Sequence, residues 1–208
     1  MIKHSIVLLN DLLEQDGEEI TKSILNTFEC YNNRDVDKFL KEKAIIFDRQ
    51  NLSRTHLVFT SYKGEMVLVA YYALAMKNFV VKNTSHKVNT ERRISKTLKK
   101  RIAKFAQFDK DTNQYVISAP LIGQLAKNDR YKDLITGNVL LQYACDTVKK
   151  VQSLVGGKFV YLECEDIPFL IDFYSSNGFV NFGKRYLEFD EKDDLNGTYL
   201  LQMLKYLR

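Results

Sequence analysis

Apolar positions along the 208 residues alternate between two spacings, every second residue and every third or fourth, in a repeated strand and helix order. Ile2 to Asn10 predicts a short first strand, and Ile20, Ile24, Leu25 and Phe28 predict a helix that packs on a sheet. Asn32-Asn33 interrupts that pattern. Asp35 is then placed to cap a second helix whose Val36, Phe39, Leu40, Ala44 and Phe47 share a face. Thr55 to Ser61 and Met66 to Ala73 are rich in branched and aromatic residues, and Lys63-Gly64-Glu65 between them predicts a hairpin. Leu74 to Lys77 continues or bends the second strand before Phe79-Val80-Val81.

A helix over Thr90 to Phe105 has Ile94, Leu98, Ile102 and Phe105 on one side and its cations on the other. Asp109 to Asn113 is a turn, and Gln114 to Leu125 a strand. Pro120 in that strand lacks a donor, which predicts an edge or a bulge. A polar turn at Lys127 to Asp133 leads to a helix over Gly137 to Val151, with Val139, Leu140, Tyr143, Ala144, Thr147, Val148 and Val151 at helical spacing. Lys158 to Cys164 is a strand and Ile167 to Asn177 a helix, with Gly178 suited to a left-handed end. Val180 to Phe189 and Thr198 to Tyr206 are closing strands around the acidic turn Asp190 to Asp194. This order predicts an α/β chain with one central mixed sheet flanked by helices, rather than a sandwich or bundle.

Composition changes this picture little. With 45% hydrophobic and 27% charged residues, a chain of this length buries one good core, and we expect a single domain over residues 1–208. No apolar run approaches the roughly 18 residues of a membrane span, and no leader is evident. Cys30, Cys145 and Cys164 are far apart and odd in number, without paired zinc spacing, so we expect no metal and a reducing, cytoplasmic compartment. His4, His56 and His86 also lack metal spacing; His56 is expected to be structural or exposed, and Cys164 packed and inert.

Charge distribution adds more. Lys77 to Lys104 holds ten basic residues against Glu91 alone, so this segment carries +9 while the whole chain carries +5. Such a face reads first as a solvated helix surface, and it also suits a tRNA or another nucleic acid through phosphate contacts. We read residues of about 82–112 as a basic insertion. Aromatic residues hardly interleave with these cations, which argues against single-strand stacking.

The helix beginning at Gly137 offers free amides to an anion such as a diphosphate. Several segments resemble the GNAT superfamily of acetyl-coenzyme A-dependent N-acetyltransferases. They are Phe28-Glu29-Cys30, Asp35 to Leu40, the strand-like Val67 to Leu74, Ile122-Gly123-Gln124-Leu125-Ala126, and Phe173-Tyr174 followed by Asn177-Gly178-Phe179. Within it the chain is similar to the branch of tRNA-acetylating toxins and their non-toxin relatives. The family's pyrophosphate loop has glutamine or arginine, two variable residues, glycine, one variable residue, then glycine or alanine. Lys132-Asp133-Leu134-Ile135-Thr136-Gly137, followed by Asn138, occupies it here. Lys132 and Ile135 depart from the pattern and Gly137 keeps it. The branched Ile135 restricts the turn and is positioned to crowd a phosphate.

The resemblance implies acetyl-CoA as cosubstrate, bound through Lys132 to Asn138 and through the backbone of Leu125, Ala126 and Lys127. It implies Tyr174 as the general acid, directed at the thioester sulfur. Packing beside Phe173 is the alternative for Tyr174. Glu163, Glu165 and Asp166 are candidates for a base, with Asp166 also placed to cap the helix from Ile167. The implied activity is acetyl transfer to a primary amine by direct attack. Its alternatives are a catalytically weak interaction module on the same fold and a small-molecule acetyltransferase. The acceptor and the oligomer, a homodimer included, stay open.

Overall fold

The computed structural model describes residues 2–83, 94–191, 195 and 197–207. Two compact units account for them, Met1–Ala75 with Ile122–Asp146, and Met76–Leu121 with Thr147–Arg208.

The first unit opens with strand β1 (Ser5–Leu8) and helix α1 (Leu9–Leu25). The helix turns sharply at Gly17, whose φ of 80° is one that glycine adopts without penalty. At 3.6 residues per turn, Thr21 would lie about half a turn away from Leu12 in a straight helix. The break rephases the chain so that Leu9, Leu12, Thr21 and Leu25 are all buried. Ile20, expected on the packed side, is 55% exposed as a result. Helix α2 (Arg34–Lys38), a π-turn (Phe39–Lys43) and helix α3 (Ala44–Arg49) follow. The cap of α2 is Asn33, whose side chain accepts from the Val36 amide, and not Asp35. Asp35 instead accepts from the Gln124 amide group at 3.0 Å.

Strands β2 (Arg54–Tyr62) and β3 (Glu65–Lys82) form an antiparallel hairpin with Thr55 opposite Ala73 and Tyr62 opposite Glu65. Lys63 and Gly64 turn it with φ of 53° and 89°, the left-handed pair that matches strand twist. β1 pairs antiparallel with the far side of β2, Ser5 against Phe59 and Leu8 against His56. The core sets Leu25, Phe39, Leu40 and Ala44 from the helices, and Phe28 from the segment after α1, against Leu57, Leu68 and Tyr71. Each large apolar side chain fully buried there contributes about 1.5–3 kcal/mol. The fully buried Tyr71 keeps its hydroxyl satisfied by donating to the Val36 carbonyl at 2.5 Å.

In the second unit, α4 (Lys96–Phe105) is capped by Ser95, whose side chain accepts from the Leu98 amide. Leu98 and Ile102 are buried, while Lys96, Lys100 and Lys104 face solvent. The expected helical start at Thr90, with Arg92 and Arg93, lies outside the described residues. A short strand that the sequence pattern misses, β4 (Gln107–Asp109), pairs with the start of β5 (Gln114–Lys127). Strand β6 (Phe159–Cys164), helix α6 (Pro168–Ser176), β7 (Val180–Tyr186) and β8 (Tyr199–Tyr206) complete the unit. β8 pairs antiparallel with β6 on one side and β7 on the other. Phe79 stacks on Tyr161 with centroids 4.3 Å apart, inside a core that includes Val81, Leu98, Ile102 and Phe159.

Along the hydrogen-bonded path the strands run β1-β2-β3-β5-β6-β8-β7, with β4 beside β5. Pro120 therefore lies in an interior strand, contrary to the expected edge, next to the Leu121/Ile122 boundary where β5 passes between units. Helix α5 (Gly137–Val155) runs four residues beyond its expected end. Its buried side is Leu140, Leu141, Ala144, Cys145 and Val148, whereas Val139 and Val151 are each 37% exposed. No helix among the described residues is long and apolar enough to cross a membrane.

Candidate functional site

The loop before α5 is built on the end of β5. Leu125 is half-buried, Ala126 joins the first unit's core, and Lys127 is the strand's last residue. Asn128 comes next and is fully buried. Its side-chain amide donates to the carbonyls of Leu68 (2.8 Å) and Thr27 (3.2 Å), and its oxygen accepts from the amides of Arg130 (3.1 Å) and Glu29 (3.3 Å). Its backbone amide donates to Val69. This residue welds the strand end to β3 and to the segment after α1, and it starts the 3₁₀ turn Asp129–Tyr131.

From there the loop is held through its carbonyls. Lys127 Nζ donates to the Lys132 carbonyl at 3.1 Å, and the Leu134 amide donates to Tyr131 at 2.9 Å. The Leu134 carbonyl lies 2.9 Å from His4 Nε2. Thr136 caps α5: its hydroxyl accepts from the Val139 amide at 3.3 Å and its carbonyl accepts from Leu140. Lys132, Asp133, Thr136 and Asn138 are exposed, Leu134 and Gly137 half-buried. Ile135 is only 3% exposed, so its branched side chain is withdrawn from solvent.

Tyr174 belongs to the second unit, in the last turn of α6. Its ring meets Phe173 and Phe179 edge-on, with centroids 5.0 and 5.8 Å away. Gly178 ends the helix with a φ of 82°, and the Phe179 amide returns to the Tyr174 carbonyl at 3.0 Å. Burial pushes the phenol well above its ordinary value, so it stays protonated, and among the described residues nothing bonds its hydroxyl. Burial, followed by the charges of Asp166 and Glu165, raises the Cys164 thiol to about 12, as expected of an inert cysteine.

Two of the three candidate acids stand differently from the sequence expectation. Asp166 does not cap α6, whose cap is Ile167 without a side-chain bond; it accepts instead from the Tyr199 hydroxyl at 2.6 Å. Glu163 is bound by Arg185 at 2.8 Å and by the Tyr161 hydroxyl. Arg185 also grips both oxygens of Glu191 at 2.8 Å, which, more than any other contact, holds that carboxyl below its usual range. His56, buried and stacked on Tyr72 at 4.6 Å, is structural, and burial lowers its affinity for a proton. Among the described residues no cluster of three histidine, cysteine or acidic side chains is arranged for a metal.

Solved structures match this arrangement across nearly its whole length. AtaT complexed with acetyl-methionyl-tRNAfMet gives a TM-score of 0.61 at 18% identity, covering 96% of this chain and 94% of that one. A tyrosine-to-phenylalanine mutant of KacT gives 0.61 at 16%, with the same coverage. AtaTR bound with AcCoA gives 0.55 at 17%, covering 95% and 92%. The chain has the GNAT fold. At these identities the likeness is one of architecture. No family model matches the chain, and no curated protein does.

Against the GNAT fold, two supporting residues stand out that the sequence did not reveal. His4 carries no motif, and its partners are 130 and 139 residues away. Asn128 had a usable signal: an asparagine followed by Asp129 at the start of a polar turn fits a side chain that closes on its own backbone.

Proposed function

We propose that the protein is an N-acetyltransferase that moves the acetyl group of acetyl-CoA to a primary amine. The observation that carries the reading is the backbone-built loop at 132–138, on a fold shared with a solved AtaTR complex with AcCoA. A diphosphate needs amides and positive charge rather than a particular side chain. The start of α5, the exposed Lys132 and the nearby Lys127 supply both, and the buried Ile135 keeps its side chain off the exposed surface of the turn.

In this reading Leu125, Ala126 and Lys127 offer strand backbone to the pantetheine arm, and one of their amides polarises the thioester carbonyl. The amine attacks that carbonyl carbon, the carbon–sulfur bond breaks, and Tyr174 gives its proton to the departing thiolate. The phenol is protonated at neutral pH, as donation requires. With Glu163 ion-paired, the amine proton passes to water.

The acceptor we favour is the amine of an aminoacyl-tRNA. AtaT was solved with an acetylated methionyl-tRNA, and the exposed Lys96, Lys100 and Lys104 on α4 carry the charge that phosphate contacts need. Thiol release from acetyl-CoA, measured with aminoacyl-tRNA and with free amines, tests it. Salt-sensitive turnover on the tRNA is expected; turnover on free amines alone would leave the basic surface without a substrate role. Binding of acetyl-CoA without turnover on any amine would favour a non-catalytic interaction module.

A further inference from the structure

We propose that His4 is a positioning residue for the 132–138 loop, aligning its amides where the glycine of the usual pattern is missing; this rests on reading the loop as the diphosphate site. One imidazole joins three separate pieces of the first unit. It sits just before β1, its Nε2 lies 2.9 Å from the Leu134 carbonyl, and its Nδ1 lies 3.1 Å from the hydroxyl of Tyr143 on α5. The two rings also meet edge-on, 5.8 Å apart at 70°.

Chemistry fixes the protons. A carbonyl only accepts, so Nε2 carries the hydrogen, and in the neutral ring Nδ1 is left to accept from Tyr143. A trans peptide points its N–H opposite its C=O. With the Leu134 carbonyl turned to the imidazole, the Ile135 amide is turned away from it. The Lys127 contact does the same one step earlier, holding the Lys132 carbonyl and so directing the Asp133 amide away. The intervening Leu134 amide is occupied by Tyr131. Alternate peptides of the loop are thus anchored on their carbonyl sides.

Glycine reaches a phosphate-cradling turn through its own backbone freedom. Isoleucine has none to spare. Here the buried Ile135 side chain and the His4 bond set the peptide from outside the loop, an arrangement that permits the departure at this position.

The test is calorimetric titration of acetyl-CoA together with amide hydrogen exchange of the unliganded protein. His4→Ala is expected to weaken acetyl-CoA binding about five- to tenfold, the usual worth of one hydrogen bond, and to speed exchange at Ile135 and Thr136. His4→Gln, whose amide reaches about as far and donates to the same carbonyl, restores most of both. Tyr143→Phe, which leaves the Leu134 bond in place, gives a smaller loss and serves if His4→Ala does not fold. Wild-type affinity in His4→Ala, or no recovery in His4→Gln, overturns the inference while the acetyl-CoA reading stands. A wild-type protein that binds no acetyl-CoA overturns both.

Discussion

The loop at 132–138 and the end of α6 carry the same functional reading in opposite ways. As proposed, the loop works through peptide groups. Its side chains at 132 and 135 depart from the expected pattern while Lys127, His4, Tyr131 and Thr136 hold its backbone in place. In the proposed reading the end of α6 works through one phenol, set by Phe173, Phe179 and the glycine that stops the helix. A site made of amides tolerates substitution along its length and moves its requirements into distant residues. One made of a single side chain tolerates none at that residue.

The largest effect that would sharpen this contrast is at Tyr174. Tyr174→Phe removes only the hydroxyl and should lower kcat about a hundredfold or more, within the range of general-acid catalysis, with acetyl-CoA affinity nearly unchanged by calorimetry. Unchanged turnover would make the ring a packing element. The pH profile gives a second reading. The protonated phenol is the active form and burial raises its pKa, so proton loss from Tyr174 should not reduce the rate below its ordinary value of about 10. A rate that falls by pH 8 through this group would contradict that assignment.

Next in size is the loop's departure. Ile135→Gly reinstates the usual glycine, yet it empties a buried site and adds backbone freedom, so it should cost about 2–5 kcal/mol in denaturant unfolding and bind acetyl-CoA no more tightly. Tighter binding by the glycine variant would show that the isoleucine is a defect rather than an accommodated change. Asn128→Ala should cost about 1–3 kcal/mol, since the backbone groups of Leu68, Thr27, Glu29 and Arg130 lose their partner. The smallest effect is at the surface. Reversing charge at Lys96, Lys100 and Lys104 should leave stability within about 0.5 kcal/mol while weakening tRNA binding and flattening its salt dependence. Unchanged RNA affinity would return α4 to ordinary solvated surface.

How much of this was legible in the chain follows the same contrast. Gly178 was readable because a left-handed glycine at a helix end is written directly in the sequence. The hairpin at Lys63-Gly64 and the start of α5 at Gly137 were readable for the same reason. Hidden were features set by tertiary partners. The rephasing at Gly17 exposed Ile20 and buried Thr21, against local apolar periodicity. Three-residue β4 is too short to show a period. Asp35 and Asp166 sit where caps belong, but Gln124 and Tyr199 claim them. His4 is one polar residue ahead of a strand, and nothing local announces a carbonyl 130 residues on.

In the proposed function a loop without the usual glycine still presents its amides to a diphosphate. Titrating acetyl-CoA into the wild-type protein tests this most directly. Saturable binding with one molecule per chain, competed by coenzyme A and lost on removing the diphosphate from the ligand, is the predicted result. Absence of binding at millimolar ligand, or equal affinity for a ligand without the diphosphate, would contradict it.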